Sequence, residues 1–121
     1  MNVGCDLQSV AELRARPGLL DNGAVFTAYE RSYCRSKQDP WPSLGGLWAA
    51  KEACLKALSA VEPAPFTFPS LEIRHRADGR PVVVAHGALG AWLAERGLGL
   101  EVSISHSQEI VMAVACLGGA A

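Results

Sequence analysis

The chain has 121 residues, half of them apolar, with 11 Lys and Arg against 12 Asp and Glu and a formal net charge of −1. That length and apolar content fit one domain around a single core, with no need of a second. The near-neutral charge, without clustered Lys and Arg, excludes attachment to nucleic acid by bulk phosphate neutralisation, and no window approaches 18 uninterrupted apolar residues, which excludes a membrane-spanning helix. Met1 to Asp6 carries no basic segment followed by a long apolar run, so a cytoplasmic location is expected. Cys5, Cys34, Cys54 and Cys116 have no metal-knuckle spacing, and Cys5, Cys54 and Cys116 lie in apolar patterns where a free cysteine behaves as a small buried hydrophobe. No disulfide framework is expected.

Met1 to Leu7 is short and apolar, with Asp6 near its end, and reads as a strand. Ser9 followed by Glu12 matches a capping box, opening a helix that runs to about Arg16 before Pro17-Gly18 stops it; Arg14 and Arg16 fall on its exposed side. Thr27 with Glu30 is a second capping-box match, preceded by Phe26 as a staple residue, and the helix after it carries Tyr29, Arg31, Tyr33, Arg35 and Lys37. Asp39-Pro40-Trp41-Pro42 reads as a loop feeding a central helix, Leu44 to Leu58.

At about 100° per residue, Leu44, Leu47, Trp48, Cys54, Leu55 and Leu58 gather on one arc of that helix, while Gly46, Ala50, Ala53 and Ala57 gather on the opposite one. Large residues want a core and a Gly/Ala stripe admits a close backbone, so both arcs are expected to be buried. The charges are therefore anomalous. Lys51 falls within the large apolar arc, either snorkelling along Trp48 and Leu55 or orienting a site, and Glu52 and Lys56 lie one turn apart at the boundary between the arcs.

Three prolines within seven residues make Ser59 to Pro69 a loop. Leu71 to His75 and Arg80 to His86, joined through Asp78-Gly79, read as an antiparallel hairpin in which His75 and His86 are solvated. Ala88 to Glu95 reads as a short helix with Gly97 at its C′ position. Leu100 to Ser105 and Ile110 to Leu117 form a second hairpin, with His106-Ser107-Gln108-Glu109 as its turn. The sum is an α+β domain spanning residues 1–121, with helices laid on a small, mostly antiparallel sheet.

Chemistry enters through Asp6 and Glu52, two carboxylates from separate elements, accompanied by lysines and no His or Cys cluster. That donor set suits magnesium, which takes one or two protein carboxylates and fills its octahedron with water and phosphate oxygens. The implied substrate carries a pyrophosphate. His106 shares strand parity with Leu100, Val102 and Ile104, which by itself reads as a histidine at the edge of the core.

Val3-Gly4-Cys5-Asp6-Leu7, Phe26-Thr27 followed by Glu30, Trp48-Ala49-Ala50-Lys51-Glu52-Ala53 followed by Lys56-Ala57-Leu58, Gly79-Arg80-Pro81, and Val102-Ser103-Ile104-Ser105-His106-Ser107 resemble, in order, the motifs of the 4′-phosphopantetheinyl transferases of the small holo-acyl-carrier-protein synthase type. The resemblance covers almost the whole chain. It implies the fold of that family and transfer of the phosphopantetheine arm of coenzyme A to a serine of an apo acyl carrier protein, releasing adenosine 3′,5′-bisphosphate with magnesium or manganese. It also implies that Asp6 and Glu52 hold the metal, that Lys56 neutralises phosphate charge, and that Glu52 or water on the metal accepts the serine proton. Lys51, Lys56, Ser105 and His106 would meet coenzyme A. Arg14 and Arg16 would meet an acidic carrier helix or act as plain solubilising charges.

The family's small members imply a homotrimer with coenzyme A between subunits, serving fatty-acid, polyketide or peptide synthesis. The chain departs from the pattern at Leu47, where an arginine is common, at Ser59-Ala60-Val61, where a glycine-rich turn is usual, and at Glu12, where a basic docking residue is common. A non-catalytic carrier-binding or scaffolding module of the same fold is the alternative. Asp6, Glu52, Lys56 and His106 standing together favour the enzyme.

Overall fold

The computed structural model describes residues 1–59 and 63–120. Alternating polar and apolar residues form β1 (Asn2–Ser9), which the Ser9 hydroxyl ends by accepting the Glu12 N–H at 3.3 Å, starting α1 (Val10–Arg14). α1 is shorter than expected because Ala15 already caps it, and a 3₁₀ turn over Pro17–Asp21 follows. The Thr27–Glu30 capping box forms in full and opens α2 (Ala28–Arg35).

The central helix α3 spans Pro40–Ser59, so Pro40-Trp41-Pro42 is its first turn rather than a feeding loop. Prolines are tolerated there because the first helical N–H groups have no partner to lose, and Asp39 accepts the Trp41 N–H at 3.2 Å. Residues 63–67 lead into a 3₁₀ turn, Phe68–Ser70; Ala60 and Val61, two of the three residues of the Ser59-Ala60-Val61 departure, lie outside the described residues. β2 (Leu71–His75) and β3 (Pro81–Ala85) pair antiparallel, and Gly79 takes a φ of +88° in the loop between them. α4 (Gly87–Glu95) ends before Gly97, whose φ of +60° fits the expected left-handed C′ position.

β4 (Leu98–Ser107) and β5 (Ile110–Gly119) are longer than expected. Their turn is Gln108-Glu109 alone, so His106 and Ser107 belong to the strand ladder, opposite Val111 and Ile110. The three-stranded sheet has the order β1-β5-β4 and is antiparallel throughout, with β2-β3 as a separate pair. α3 covers its inner face. There Gly4 meets the helix so closely that a Cβ would lie 2.1 Å from the Ala53 carbonyl oxygen. Of the expected arcs of α3, Leu44, Leu47, Cys54 and Leu58 and the opposite Gly46, Ala50, Ala53 and Ala57 are buried, while Trp48 and Leu55 are half-buried.

The outer face of the same sheet is apolar and uncovered, with Val3 61% and Leu7 64% exposed beside Ile110, Met112 and Val114. Cys5 shares this exposed face, contrary to its expected burial, while Cys34 and Cys54 are buried and all four thiols are free. Among the described residues no helix is long and apolar enough to cross a membrane.

Of the two hairpin histidines, His86 is exposed as expected, whereas His75 is half-buried. His75 stacks on Tyr33 with ring centroids 4.0 Å apart, and His86 Nε2 lies 3.1 Å from Glu72. Glu72 also accepts the Thr27 hydroxyl at 2.5 Å and Arg74 Nε–H at 2.7 Å. Burial pushes its carboxyl up, but the bonds from Thr27, Arg74 and His86 override that and leave it below the ordinary glutamate value of 4.5. A depressed carboxyl adds stability above that value and loses it as pH falls through the folded one. Denaturant midpoints should therefore place Glu72→Gln below the parent at pH 7, with the gap narrowing as pH falls below the ordinary glutamate value and the parent's carboxylate protonates.

Candidate active site

The inward parity of β1 points Asp6 toward α3, and Gly4 two residues earlier sets how near the strand can come. Asp6 Oδ1 accepts Lys56 Nζ–H at 3.0 Å, and the same ammonium donates to the Cys5 carbonyl at 2.9 Å. Asp6 Oδ2 accepts from Gln8 Nε2 at 2.6 Å. Gln8 shares the inward parity of Asp6, two residues on, and that spacing was the available signal for a residue sequence reasoning missed.

Glu52 stands half-buried one turn before Lys56. The ion pair of Lys56 is with Asp6, across elements, not the simple i,i+4 pair with Glu52. The Asp6 bond raises Lys56 above its ordinary value. Burial, and then the charge of Asp6, raise the Glu52 carboxyl, with Lys56 working against them. Two carboxylates that repel one another could hold a cation between them. Among the described residues no group of three or more His, Cys, Asp and Glu gathers, so the protein offers two hard oxygen donors. Such a set fits magnesium, whose remaining positions take water and substrate phosphate, and does not fit zinc.

His106 is placed elsewhere. It stands on β4, two strands from β1, and its Nε2–H donates to the Pro42 carbonyl at 3.1 Å, because a carbonyl can only accept. It lines a cavity of ≈200 Å³ with Gly46, Leu47, His75, Gly79 and Pro81, which brings the Gly79-Arg80-Pro81 and Ser-His motifs together. Leu47, the departure before Trp48, is 1% exposed and packs in the core beside this cavity. Asp6, Glu52 and Lys56 thus gather on the β1 flank of α3, while His106 sits on its β4 flank.

Two expected coenzyme A contacts stand apart from both the Asp6 cluster and the His106 cavity. Ser105 pairs opposite Met112 on the outer face, so strand alternation turns its side chain away from His106 and the cavity. Lys51 is fully buried, about 100° around α3 from Glu52, and does not snorkel to solvent. Its three N–H groups are taken by Glu30 Oε1 at 2.9 Å, Phe68 O at 2.7 Å and Leu71 O at 2.5 Å. Burial pushes this ammonium below its ordinary value and the Glu30 charge opposes the shift.

Arg14 is exposed but engaged, donating two bonds to Asp39 at 2.6 and 3.1 Å and one to Glu109 at 3.3 Å. Arg16 is exposed on the turn that follows.

The sequence pattern of the 4′-phosphopantetheinyl transferase superfamily matches residues 2–115. A holo-[acyl-carrier-protein] synthase of Caldanaerobacter subterraneus subsp. tengcongensis is 36% identical over 97% of this chain and 94% of its own. Among solved structures, the holo-[acyl-carrier-protein] synthase of Neisseria meningitidis superposes with a TM-score of 0.82 at 27% identity, over 97% of both chains. The ACPS–CoA complex of Chronobacterium ammoniagenes superposes with a TM-score of 0.79 at 31% identity, over 99% of this chain and 98% of that one.

Proposed function

Because this chain belongs to the 4′-phosphopantetheinyl transferase superfamily, we infer that it is a holo-[acyl-carrier-protein] synthase, moving the 4′-phosphopantetheine of coenzyme A to a serine of an apo acyl carrier protein. The observation that carries this reading in the chain itself is the convergence of Asp6, Glu52 and Lys56 at one flank of α3. The serine oxygen attacks the phosphorus bearing pantetheine, the pyrophosphate P–O bond breaks, and adenosine 3′,5′-bisphosphate leaves. Asp6 and Glu52 would hold a magnesium or manganese ion, which when bound supplies positive charge at the pyrophosphate.

Glu52, or water on the metal, would take the serine proton. Lys56 presents a compact ammonium beside the same carboxylates, suited to the charge that builds on the departing bisphosphate. His106, with its cavity, supports a contact to a coenzyme A phosphate. Arg14 and Arg16 are the proposed carrier contacts; Arg14 would exchange its bonds to Asp39 and Glu109 for the carrier's carboxylates. Release of adenosine 3′,5′-bisphosphate on mixing apo carrier with coenzyme A should require magnesium and stop with chelator. Equal release in chelator would remove the metal from the reading.

A homotrimer is part of the same proposal. The uncovered Val3, Leu7, Ile110, Met112 and Val114 face supports burial against further copies, since a monomer rarely leaves such a contiguous apolar patch in water. Assembly would also bring one subunit's Asp6 cluster near another's His106 cavity, which a single chain keeps on opposite flanks of α3. Light scattering should give three protomers, and a monomer at assay concentration would remove the shared site. A cytoplasmic location is proposed alongside, supported by four unbridged thiols.

Lys56→Ala should lower single-turnover transfer at saturating coenzyme A by roughly 30- to 1,000-fold, the loss of one contact that strengthens in the transition state. Lys56→Arg should recover only part, because a planar fork does not put its charge where an ammonium does. A rate for Lys56→Ala within about threefold of the parent would return Lys56 to an ordinary surface pair.

A further inference from the structure

Transfer chemistry makes no use of Lys51 or Glu30, yet both side chains are fully buried. A buried ion pair is weak evidence for stability, because desolvation offsets most of the attraction; its best-attested role is to specify one arrangement among several. α3 needs such a device. The helix is apolar on nearly every side, and the stripe it lays on the sheet is Gly46, Ala49, Ala50, Ala53 and Ala57. Small residues give that stripe no large knob, and hydrophobic burial is non-directional, so packing against the sheet fixes the rotation and height of α3 weakly.

The polar contacts do fix them. Lys51 has three N–H donors and meets three acceptors from three places: Glu30 on α2, the Phe68 carbonyl in the 3₁₀ turn, and the Leu71 carbonyl at the head of β2. Glu30 is tied in turn, accepting the Thr27 N–H at 2.9 Å and, through its other oxygen, the Ile73 N–H at 2.8 Å. A slide or rotation of α3 by one residue would strand a buried ammonium, a buried carboxylate and two carbonyls together. Glu52 is the next residue on the same helix, and Lys56 follows one turn later.

We propose that the Lys51–Glu30 pair is a positioning element, setting the rotation and height of α3 so that Glu52 and Lys56 arrive opposite Asp6. The proposal rests on the reading of those three residues as the transfer site. Lys51 and Glu30 touch no substrate in it.

The test compares Lys51→Met, Lys51→Met/Glu30→Gln and Lys51→Arg in the full-length protein. Lys51→Met leaves Glu30 buried without its cation, whereas the double variant removes both charges and should regain thermal stability. If the pair positions α3, turnover by the double variant stays at least tenfold below the parent while the KM for coenzyme A moves less. Adding Lys56→Ala to that background should then cost under about threefold, because the lysine is already misplaced, against the larger factor in the parent.

Methyl NMR signals of Ala53 and Ala57, which lie against β1, should shift in the same variants and report α3 placement whether or not transfer is measured. A parent that transfers nothing refutes the transfer reading, and the methyl signals still judge the positioning. Turnover within threefold of the parent, with unmoved methyl signals, in the double variant would overturn the proposal. If that variant does not fold, the same outcome in Lys51→Arg overturns it, because a guanidinium keeps the charge but cannot aim three donors from one point.

Discussion

Asp6→Asn and Glu52→Gln are each expected to cut transfer by about 100- to 1,000-fold while leaving the protein folded. Each removes one of the two formal charges available to a divalent cation on the coenzyme A pyrophosphate, a contribution of about 3–4 kcal/mol to the barrier by comparison with other electrostatic groups. Stability should follow a different course. Burial and the charge of Asp6 already disfavour the Glu52 carboxylate, so a neutral Gln is tolerated and relieves that repulsion. Asp6→Asn loses the charge in its bond to Lys56, whose side chain is 52% exposed, and such a screened pair adds little to stability. Thermal scans and single-turnover rates on the same samples check both halves. Loss of folding in parallel with loss of rate would mean that the carboxylates serve the fold.

Gly4→Ala is expected to give a large loss of stability. A Cβ there would stand 2.1 Å from the Ala53 carbonyl oxygen, 2.7 Å from the Ala57 nitrogen and 2.9 Å from Lys56 Cβ. Two of these neighbours are helix backbone, which cannot yield as a side-chain tip does, so β1 must move off α3. Overpacking costs about 1–3 kcal/mol and occasionally more, and backbone on backbone belongs at the upper end. For a chain of this size about 3 kcal/mol corresponds to roughly 10 °C in thermal midpoint. Transfer should fall as well, because Asp6 and the Cys5 carbonyl that receive Lys56 are carried on the displaced strand. Variant and parent should be compared at equal protomer concentration, since association shifts the midpoint. A midpoint within about 2 °C of the parent would contradict the close approach.

Much of this was legible in the sequence because it is local. Ser9 and Thr27 start helices by capping their own third residues, Gly97 ends one by its left-handed φ, and the two arcs of α3 are largely buried as its periodicity requires. The Asp6, Glu52 and Lys56 cluster was legible through motif order, although spacing alone could not say that Lys56 would pair across to β1. What escaped is set by acceptors far along the chain. Whether Lys51 snorkels or is pinned depends on the Phe68 and Leu71 carbonyls, which no pattern around Lys51 announces. Ser105 and His106 look like one motif but fall on opposite faces once the hairpin closes over Gln108-Glu109 instead of four residues. Arg14 reads as a free cation until α3 brings Asp39 beside it.

Intact mass of an apo acyl carrier protein, before and after incubation with coenzyme A, magnesium and this protein, tests the central claim most directly. A single added phosphopantetheine per carrier is expected, lost when the carrier serine is replaced by alanine and strongly slowed by Glu52→Gln. An unmodified carrier in the presence of the folded protein would contradict it, as would modification at the parent rate by Glu52→Gln.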